Sequence, residues 1–248
     1  MIKIKGLVKS FGAQVVTNRL DLEVPEGKIT CIIGRSGEGK SVLLKQIIGL
    51  IKPDRGKIII DGVDITRLST SEQQKMYEKC GYVFQFAALL DSLTIFENVG
   101  ISLLEQGKTE QEVRMAVMQK LAEVDLSSDV LDKYPSELSG GMRKRVGLAR
   151  TLIRGPKIIL YDEPTTGLDP ITSRVVHELI ASMQRRLRLT SVVASHDIEI
   201  FKYVDYVALL HEGKIRYFGD AKSIWESDNP YIYQFIRGLE HGPIKSKV

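Results

Sequence analysis

The chain has 248 residues, 43% hydrophobic and 27% charged, enough for a sizeable core in one domain with room for a subdomain. Its formal net charge of +4, from 35 bases and 31 acids, permits contact with anionic lipid or a nucleotide and does not mark a nucleic-acid binder. No run approaches the roughly 18 apolar residues that a membrane span requires.

The first segment, "MIKIKGLVKSF", alternates apolar and polar residues and reads as a strand. It lacks the apolar core and cleavage site of a signal peptide, so the expectation is a cytosolic protein whose membrane role comes through a partner. "KITCIIG" is apolar nearly throughout, as a strand covered on both faces would be, and "KSVLLKQIIGL" behind it reads as a helix. "KIIIDGVDI" and "CGYVFQ" are further strands, separated by "STSEQQKMYEK", a helix opened by a capping box from Ser69 to Glu72. Cys31 and Cys80 fall inside strand-like runs with no metal-ligand spacing, which makes them buried thiols in a reducing compartment.

From about Phe86 to Ile153 the strands stop and a helical insert is expected. It contains "TEQEVRMAVMQKLAEV", capped by Thr109 and Glu112, with Val113, Ala116, Val117, Leu121 and Val124 on one face. Strands return with "KIILYDE", "TSVVASHD" and "YVALLHEGKIRYFG", the last a hairpin turning at "HEGK". The end, "DNPYIYQFIRGLEHGPIKSKV", reads as a short helix and an irregular tail. Strands alternating with helices argue for an α/β layered core.

"GRSGEGKS", residues 34–41, fits G-x-x-x-x-G-K-[ST] between a strand and a helix, the context that a phosphate loop requires. Its glycines let successive N–H groups face a β-phosphate, reinforced by the helix N-terminus. Lys40 is placed to reach the β- and γ-phosphates and Ser41 to ligate Mg²⁺. The nucleotide contacts expected here are Gly34, Arg35, Ser36, Gly37, Glu38, Gly39, Lys40, Ser41 and Val42, with the Glu38 side chain free to point away to solvent. "IILYDEPTTGLD" ends a strand in Asp162 and Glu163. Asp162 suits the metal, which keeps waters and takes few carboxylates, and Glu163 suits the polarising of an attacking water. His196 and Gln85 close two more strands at the same mouth, His196 as a γ-phosphate contact and Gln85 toward metal or water.

The order of these motifs resembles the ATP-binding cassette (ABC) ATPases. Phe11, the Walker A loop, Gln85 of a Q-loop, "LSGG" at Leu138–Gly141, Walker B at Ile158–Glu163, a D-loop at Gly167-Leu168-Asp169 and the switch His196 follow the family's sequence and spacing over nearly the whole chain. The resemblance implies a P-loop NTPase fold with a RecA-like core, an N-terminal antiparallel β subdomain and an inserted helical subdomain at about 86–153. Residues 1–225 would form the nucleotide-binding domain and 226–248 a C-terminal helix and tail. It also implies a head-to-tail dimer sandwiching two ATPs, with Phe11 on adenine, Ser139, Gly140 and Gly141 of one copy facing the nucleotide of the other, and Asp169 among the nucleotide contacts. The bases Arg143, Lys144 and Arg145 are then expected on the solvent face of the following helix or near the partner's nucleotide.

"LSGGMRKRVGLAR", with Met142 where most cassettes carry Gln, together with "FQFAALLDSLTIFENV" and "PYIYQFIRGLEHGP", resembles the ATPases of Mla-type, MCE-associated transporters. That subfamily implies phospholipid movement between bacterial membranes, work at the cytoplasmic face of the inner membrane, and partnership with a membrane permease and an MCE-domain protein. In some members a small STAS-type protein binds the helical subdomain and the C-terminal extension crosses to the opposite cassette. In "FQFAALLDSLTIFENV" most of Phe84, Phe86, Leu89, Leu90, Leu93 and Phe96 read as core, while Phe86 to Leu90 could line a groove for a permease helix. The rival readings are a cassette for another cargo, such as amino acids, sterols or solvents, and a soluble ABC ATPase acting on nucleic acid. The second is disfavoured by the short insert and single cassette, and no nucleic-acid partner is expected.

Overall fold

A computed structural model describes residues 1–245; the last three residues of the expected tail, 246–248, lie outside the described residues. Alternation in the first segment makes β1 (Ile2–Phe11), whose Ile2, Ile4 and Leu7 are buried. It pairs antiparallel with β2 (Gln14–Val24) and β4 (Arg55–Ile60), and β4 pairs with β5 (Val63–Asp64), giving a four-stranded sheet in the order β2-β1-β4-β5. The sequence reading did not identify β2. Its signal is present, since Leu20, Leu22 and Val24 are buried between charged Arg19, Asp21 and Glu23, but the first half of the strand is largely exposed and polar.

The larger sheet has the order β10-β9-β3-β8-β7-β6, formed by β3 (Ile29–Ile33), β6 (Cys80–Val83), β7 (Ile158–Asp162), β8 (Thr190–Ser195), β9 (Tyr206–His211) and β10 (Lys214–Asp220). All its pairings are parallel except the expected β9–β10 hairpin. Every residue of β3, β7 and β8 is buried, which is why β3 and β7 read as nearly continuous apolar runs. The order sets β3, β8, β7 and β6 side by side, so the loops at their carboxyl ends form one mouth, where open α/β sheets bind ligands.

Helices cover both faces. α1 (Lys40–Ile47) and the antiparallel sheet pack on one side, sharing a core that includes Ile32, Leu43, Leu44, Ile58 and Leu160. The other face meets α3 (Ile95–Leu104), α4 (Glu110–Glu123) and α5 (Gly140–Leu152), all between β6 and β7 as expected, together with α6 (Pro170–Leu187) and α7 (Pro230–Arg237). On α4, Val113, Val117 and Leu121 are buried, with Val124 just beyond and Ala116 partly covered. Both expected capping boxes are present, at α2 (Thr70–Lys79) and α4. A third, Thr94 with Glu97 on α3, was not read from the sequence, and neither was α6, although Asp169-Pro170 is a strong helix start.

Both cysteines are free: burial pushes the Cys31 thiol up, and burial raises Cys80 to about 12. No helix among the described residues is long and apolar enough to cross a membrane.

One buried polar residue shapes the start of the helical insert. Asn98 on α3 has no exposed surface. It accepts from the Leu90 amide at 2.8 Å and donates to the carbonyls of Leu90, Leu93 and Thr94 at 2.9–3.0 Å. Asn98→Ala would strand these backbone groups, and unfolding free energy should fall by about 2–3 kcal/mol. A denaturant midpoint equal to wild type would remove Asn98 from this role.

Candidate nucleotide site

The loop after β3 curls as its glycines dictate. Gly39 has φ +96°, and a Cβ there would lie 2.4 Å from Val16 Cγ1; a Cβ on Gly34 would lie 2.5 Å from the Leu210 carbonyl oxygen. Lys40, 5% exposed, donates to the carbonyls of Gly34 at 2.8 Å and Arg35 at 3.1 Å, folding its ammonium over the loop. Ser36 and Gly37 are exposed, Val42 lies in the first turn of α1, and Arg35 donates to the Lys245 carbonyl at 2.6 Å. Val16 brings the start of β2 beside the loop, and Phe11 at the end of β1 is half exposed with the Lys9 ammonium 5.3 Å from its ring centroid.

Glu38 departs from expectation. Its carboxylate turns inward rather than to solvent, onto His211 Nδ1 at 3.2 Å and the Glu212 amide at 2.8 Å.

At the end of β7 the two carboxylates diverge, because the strand stops at Asp162 and Glu163 turns out of it. Asp162 is buried; one oxygen accepts from Ser41 Oγ at 2.7 Å and the other from Tyr82 OH at 2.8 Å. Glu163 sits at φ +50°, a left-handed conformation that non-glycine residues adopt at a cost of about 1–3 kcal/mol. It pairs with Lys40 Nζ at 3.2 Å and His196 Nδ1 at 2.8 Å. Lys40, Ser41, Asp162, Glu163 and His196 therefore form one cluster, brought together from three adjacent strands. Gln85 lies at the neighbouring strand end, and the bond that fixes it there is made by its carbonyl rather than its side-chain amide.

Tyr82 was not singled out from the sequence, since nothing local to "CGYVFQ" reveals a partner 80 residues away. Its hydroxyl is pushed above the usual phenol range, chiefly by burial and then by its bond to Asp162, so it stays a donor to that carboxylate.

Ser139 caps α5, its Oγ accepting from the Met142 amide at 3.2 Å. Ser139 is exposed and Gly141 is buried, its absent side chain making room for Thr172 of α6 at 2.8 Å from where a Cβ would stand. Asp169 is committed to capping α6, accepting from the Ile171 and Thr172 amides, both at 3.0 Å. A cleft of about 750 Å³ opens beside it, lined by Thr165 to Leu168 and His196.

The three bases after the glycines do not form a cationic face. Arg143 donates to the Leu138 carbonyl and Arg145 to that of Asp125. Lys144 reaches inward to the carbonyls of Gln85 at 3.0 Å and Thr166 at 2.9 Å, and burial holds its pKa below the usual lysine value despite the nearby Glu163 charge. For Lys144 the expectation of a solvent-facing or partner-facing side chain is corrected, because it turns inward between two carbonyls of its own chain, whereas Arg143 stays exposed as expected.

Of the apolar residues from Phe84 to Phe96, Phe96 is buried and Leu89 packs on the core, whereas Phe84 and Leu90 are more than 40% exposed and Phe86 is 82% exposed. Ala87 and Ala88 have φ +58° and +50°. α5 backs this turn: a Cβ on Gly147 would lie 3.0 Å from the Ala87 carbonyl oxygen, and Arg150 donates to the Ala88 carbonyl at 2.7 Å.

The ABC transporter family profile matches residues 17–166, which include the phosphate loop, the Ser139–Gly141 turn and both strand-end carboxylates. The chain belongs to the ABC transporter family. It is an ATP-hydrolysing subunit coupled to transport. Among curated relatives, the intermembrane phospholipid transport system ATP-binding protein MlaF of Haemophilus influenzae is 38% identical over 249 residues, covering 100% of this chain and 94% of MlaF. The probable ribonucleotide transport ATP-binding protein mkl of Mycobacterium leprae is 40% identical over 245 residues, covering 98% of this chain and 70% of mkl. Among solved structures, a dimeric ATP-binding cassette in a post-hydrolysis state bound to ADP and Pi superposes with a TM-score of 0.81 at 31% identity, covering 89% of this chain and 99% of that one. The expected cassette fold is thereby established.

Proposed function

We propose that this cassette powers a bacterial phospholipid transporter of the Mla type from the cytoplasmic face of the inner membrane. The observation that carries the reading is the 38% identity with MlaF across essentially both whole chains, C-terminal segment included. The proposed division is a nucleotide-binding domain at 1–225, with its helical subdomain at about 86–153, followed by the C-terminal helix and tail at 226–248. Partners on this reading are a second copy of the chain, a membrane permease, an MCE-domain protein and a STAS-type subunit.

In the proposed site, the loop amides from Gly34 to Ser41 and the Lys40 ammonium hold the ATP phosphates, and Phe11 stacks on the adenine. Ser139, Gly140 and Gly141 of the second copy, opening a helix with free N–H groups, meet the γ-phosphate from the other side, with Asp169 shaping that face. The residues also fit Mg²⁺. Ser41 Oγ and Asp162 are hard oxygen donors 2.7 Å apart, and no cluster of three or more His, Cys, Asp or Glu among the described residues could hold a metal alone. That pattern suits an ion that keeps waters and shares phosphate oxygens. Bound there, Mg²⁺ would neutralise charge on the β- and γ-phosphates, with Gln85 beside it. Glu163 accepts the proton of the attacking water, His196 orients Glu163 and the γ-phosphate, and Lys40 offsets the accumulating negative charge.

Phe84, Phe86 and Leu90 are the proposed docking surface for an apolar permease helix. Ala88→Asp should leave ATP binding by the purified chain intact and abolish lipid transfer in reconstituted vesicles; transfer at the wild-type rate would sink the docking assignment. The relation to mkl supports a second reading, the same ATPase serving a ribonucleotide cargo. Purification of the membrane complex and identification of the bound small molecule separates the two: a co-purifying phospholipid supports the first, and a ribonucleotide in the permease overturns it.

A further inference from the structure

We propose that Glu38 is a positioning residue of the phosphate loop. Its side chain ties the loop to the end of β9 and the turn that follows, and is held away from the nucleotide. The proposal rests on the reading of residues 34–41 as the ATP-phosphate loop.

A carboxylate inside an anion-binding loop would repel phosphate unless it were held away and its charge engaged. Glu38 meets both conditions. Its side chain is 14% exposed and that of His211 8% exposed. One oxygen lies 3.2 Å from His211 Nδ1, and the other accepts from the Glu212 amide at 2.8 Å. These partners are consecutive residues at the end of β9, and the residue before them, Leu210, presents the carbonyl against which Gly34 packs. Both shoulders of the loop thus lean on the same three residues of the neighbouring strand.

The hairpin turn that carries these residues is itself fixed. The Gly213 carbonyl accepts from the Asn18 amide at 2.9 Å, and a Cβ on Gly213 would lie 2.9 Å from the Val16 carbonyl oxygen. The His211 ring stands 5.8 Å from the Tyr231 ring on α7, and Tyr231 carries the Arg216 guanidinium 5.2 Å from its centroid. Arg216 in turn pairs with the Glu212 carboxylate at 3.3 Å. Holding a loop in its binding conformation before the ligand arrives removes an ordering cost from binding. Because loop amides cradle the β-phosphate, the effect should reach ATP and ADP alike.

The test uses the full chain and measures affinity for ATP and for ADP, together with steady-state hydrolysis, for wild type, Glu38→Ala, Glu38→Gln, His211→Phe and the double variant Glu38→Ala/His211→Phe. Glu38→Ala should weaken both nucleotides about five- to tenfold, the scale of losing two buried hydrogen bonds, and should raise KM for ATP more than it lowers kcat. Glu38→Gln, which still accepts from the Glu212 amide, should recover most of the affinity. The double variant should be no weaker than Glu38→Ala alone, since its second change removes a bond already lost. Unchanged affinity in Glu38→Ala, a loss confined to ATP, or losses that add in the double variant would each overturn the proposal. Should Glu38→Ala fail to fold, His211→Phe keeps the ring against Tyr231 and removes only the Nδ1 bond. It should then weaken both nucleotides by a smaller and equal factor, and wild-type affinity would overturn the tether. Wild-type protein that binds neither nucleotide, or Lys40→Ala that binds as wild type does, would overturn the phosphate-loop reading and this proposal with it.

Discussion

Glu163→Gln should yield a chain that binds ATP with near wild-type affinity yet turns it over about 10²–10⁴-fold more slowly, the span that a positioned general base contributes. Glutamine matches glutamate in shape and can still accept from His196, so the left-handed turn at this residue and the fit of the strand end are kept. What disappears is the charge that faces Lys40 at 3.2 Å and the basicity offered to water. With hydrolysis blocked and binding intact, ATP should accumulate the two-copy form, visible as a doubling of mass by size-exclusion chromatography with light scattering. Hydrolysis at the wild-type rate would take Glu163 out of the chemistry. A monomer at saturating ATP would count against the shared-site arrangement instead.

Lys144→Met is the second large effect, and its cause is geometric. The Lys144 ammonium joins the Gln85 carbonyl to the Thr166 carbonyl, one in the turn after β6 and the other beside Glu163. Methionine fills similar space and donates nothing, leaving two half-buried carbonyls without a partner. Unfolding free energy should drop by about 1–3 kcal/mol. Turnover should fall about ten- to hundredfold, the scale at which small misplacements of catalytic groups are felt, while nucleotide affinity changes little. Thermal unfolding and single-turnover hydrolysis check the two halves separately; a variant equal to wild type in both would reduce Lys144 to a surface cation.

Most of the fold was legible because its signals are local. The buried strands β3 and β7 announce themselves as apolar runs, the capping boxes at Ser69 and Thr109 lie within four residues, and "GRSGEGKS" needs only its flanking strand and helix. β2 escaped because its outer half breaks the alternation, with Val15 exposed and Thr17 buried, so periodicity there is weak. The site divides the same way. Lys40 and Ser41 could be named from the phosphate-loop motif, and Asp162, Glu163 and His196 because they stand at or just beyond strand ends; the sheet order then makes them neighbours. The misreadings of Glu38 and Lys144 concern where a side chain points, and their partners lie 173 residues away in one case and 59 and 22 in the other. Tyr82 was missed for the same reason, since its partner is set by the β6–β7 pairing.

α5 carries a mechanical consequence. At about 1.5 Å per residue its 13 residues form a rod close to 20 Å long, and its hydrogen-bonded backbone does not stretch. Its first turn holds Ser139–Gly141, and further along Lys144, Gly147 and Arg150 grip the segment from Gln85 to Ala88. Such a rod would work as a lever: a push on the Phe86 turn would swing the glycine end, and a pull on the glycine end would drag the Phe86 turn.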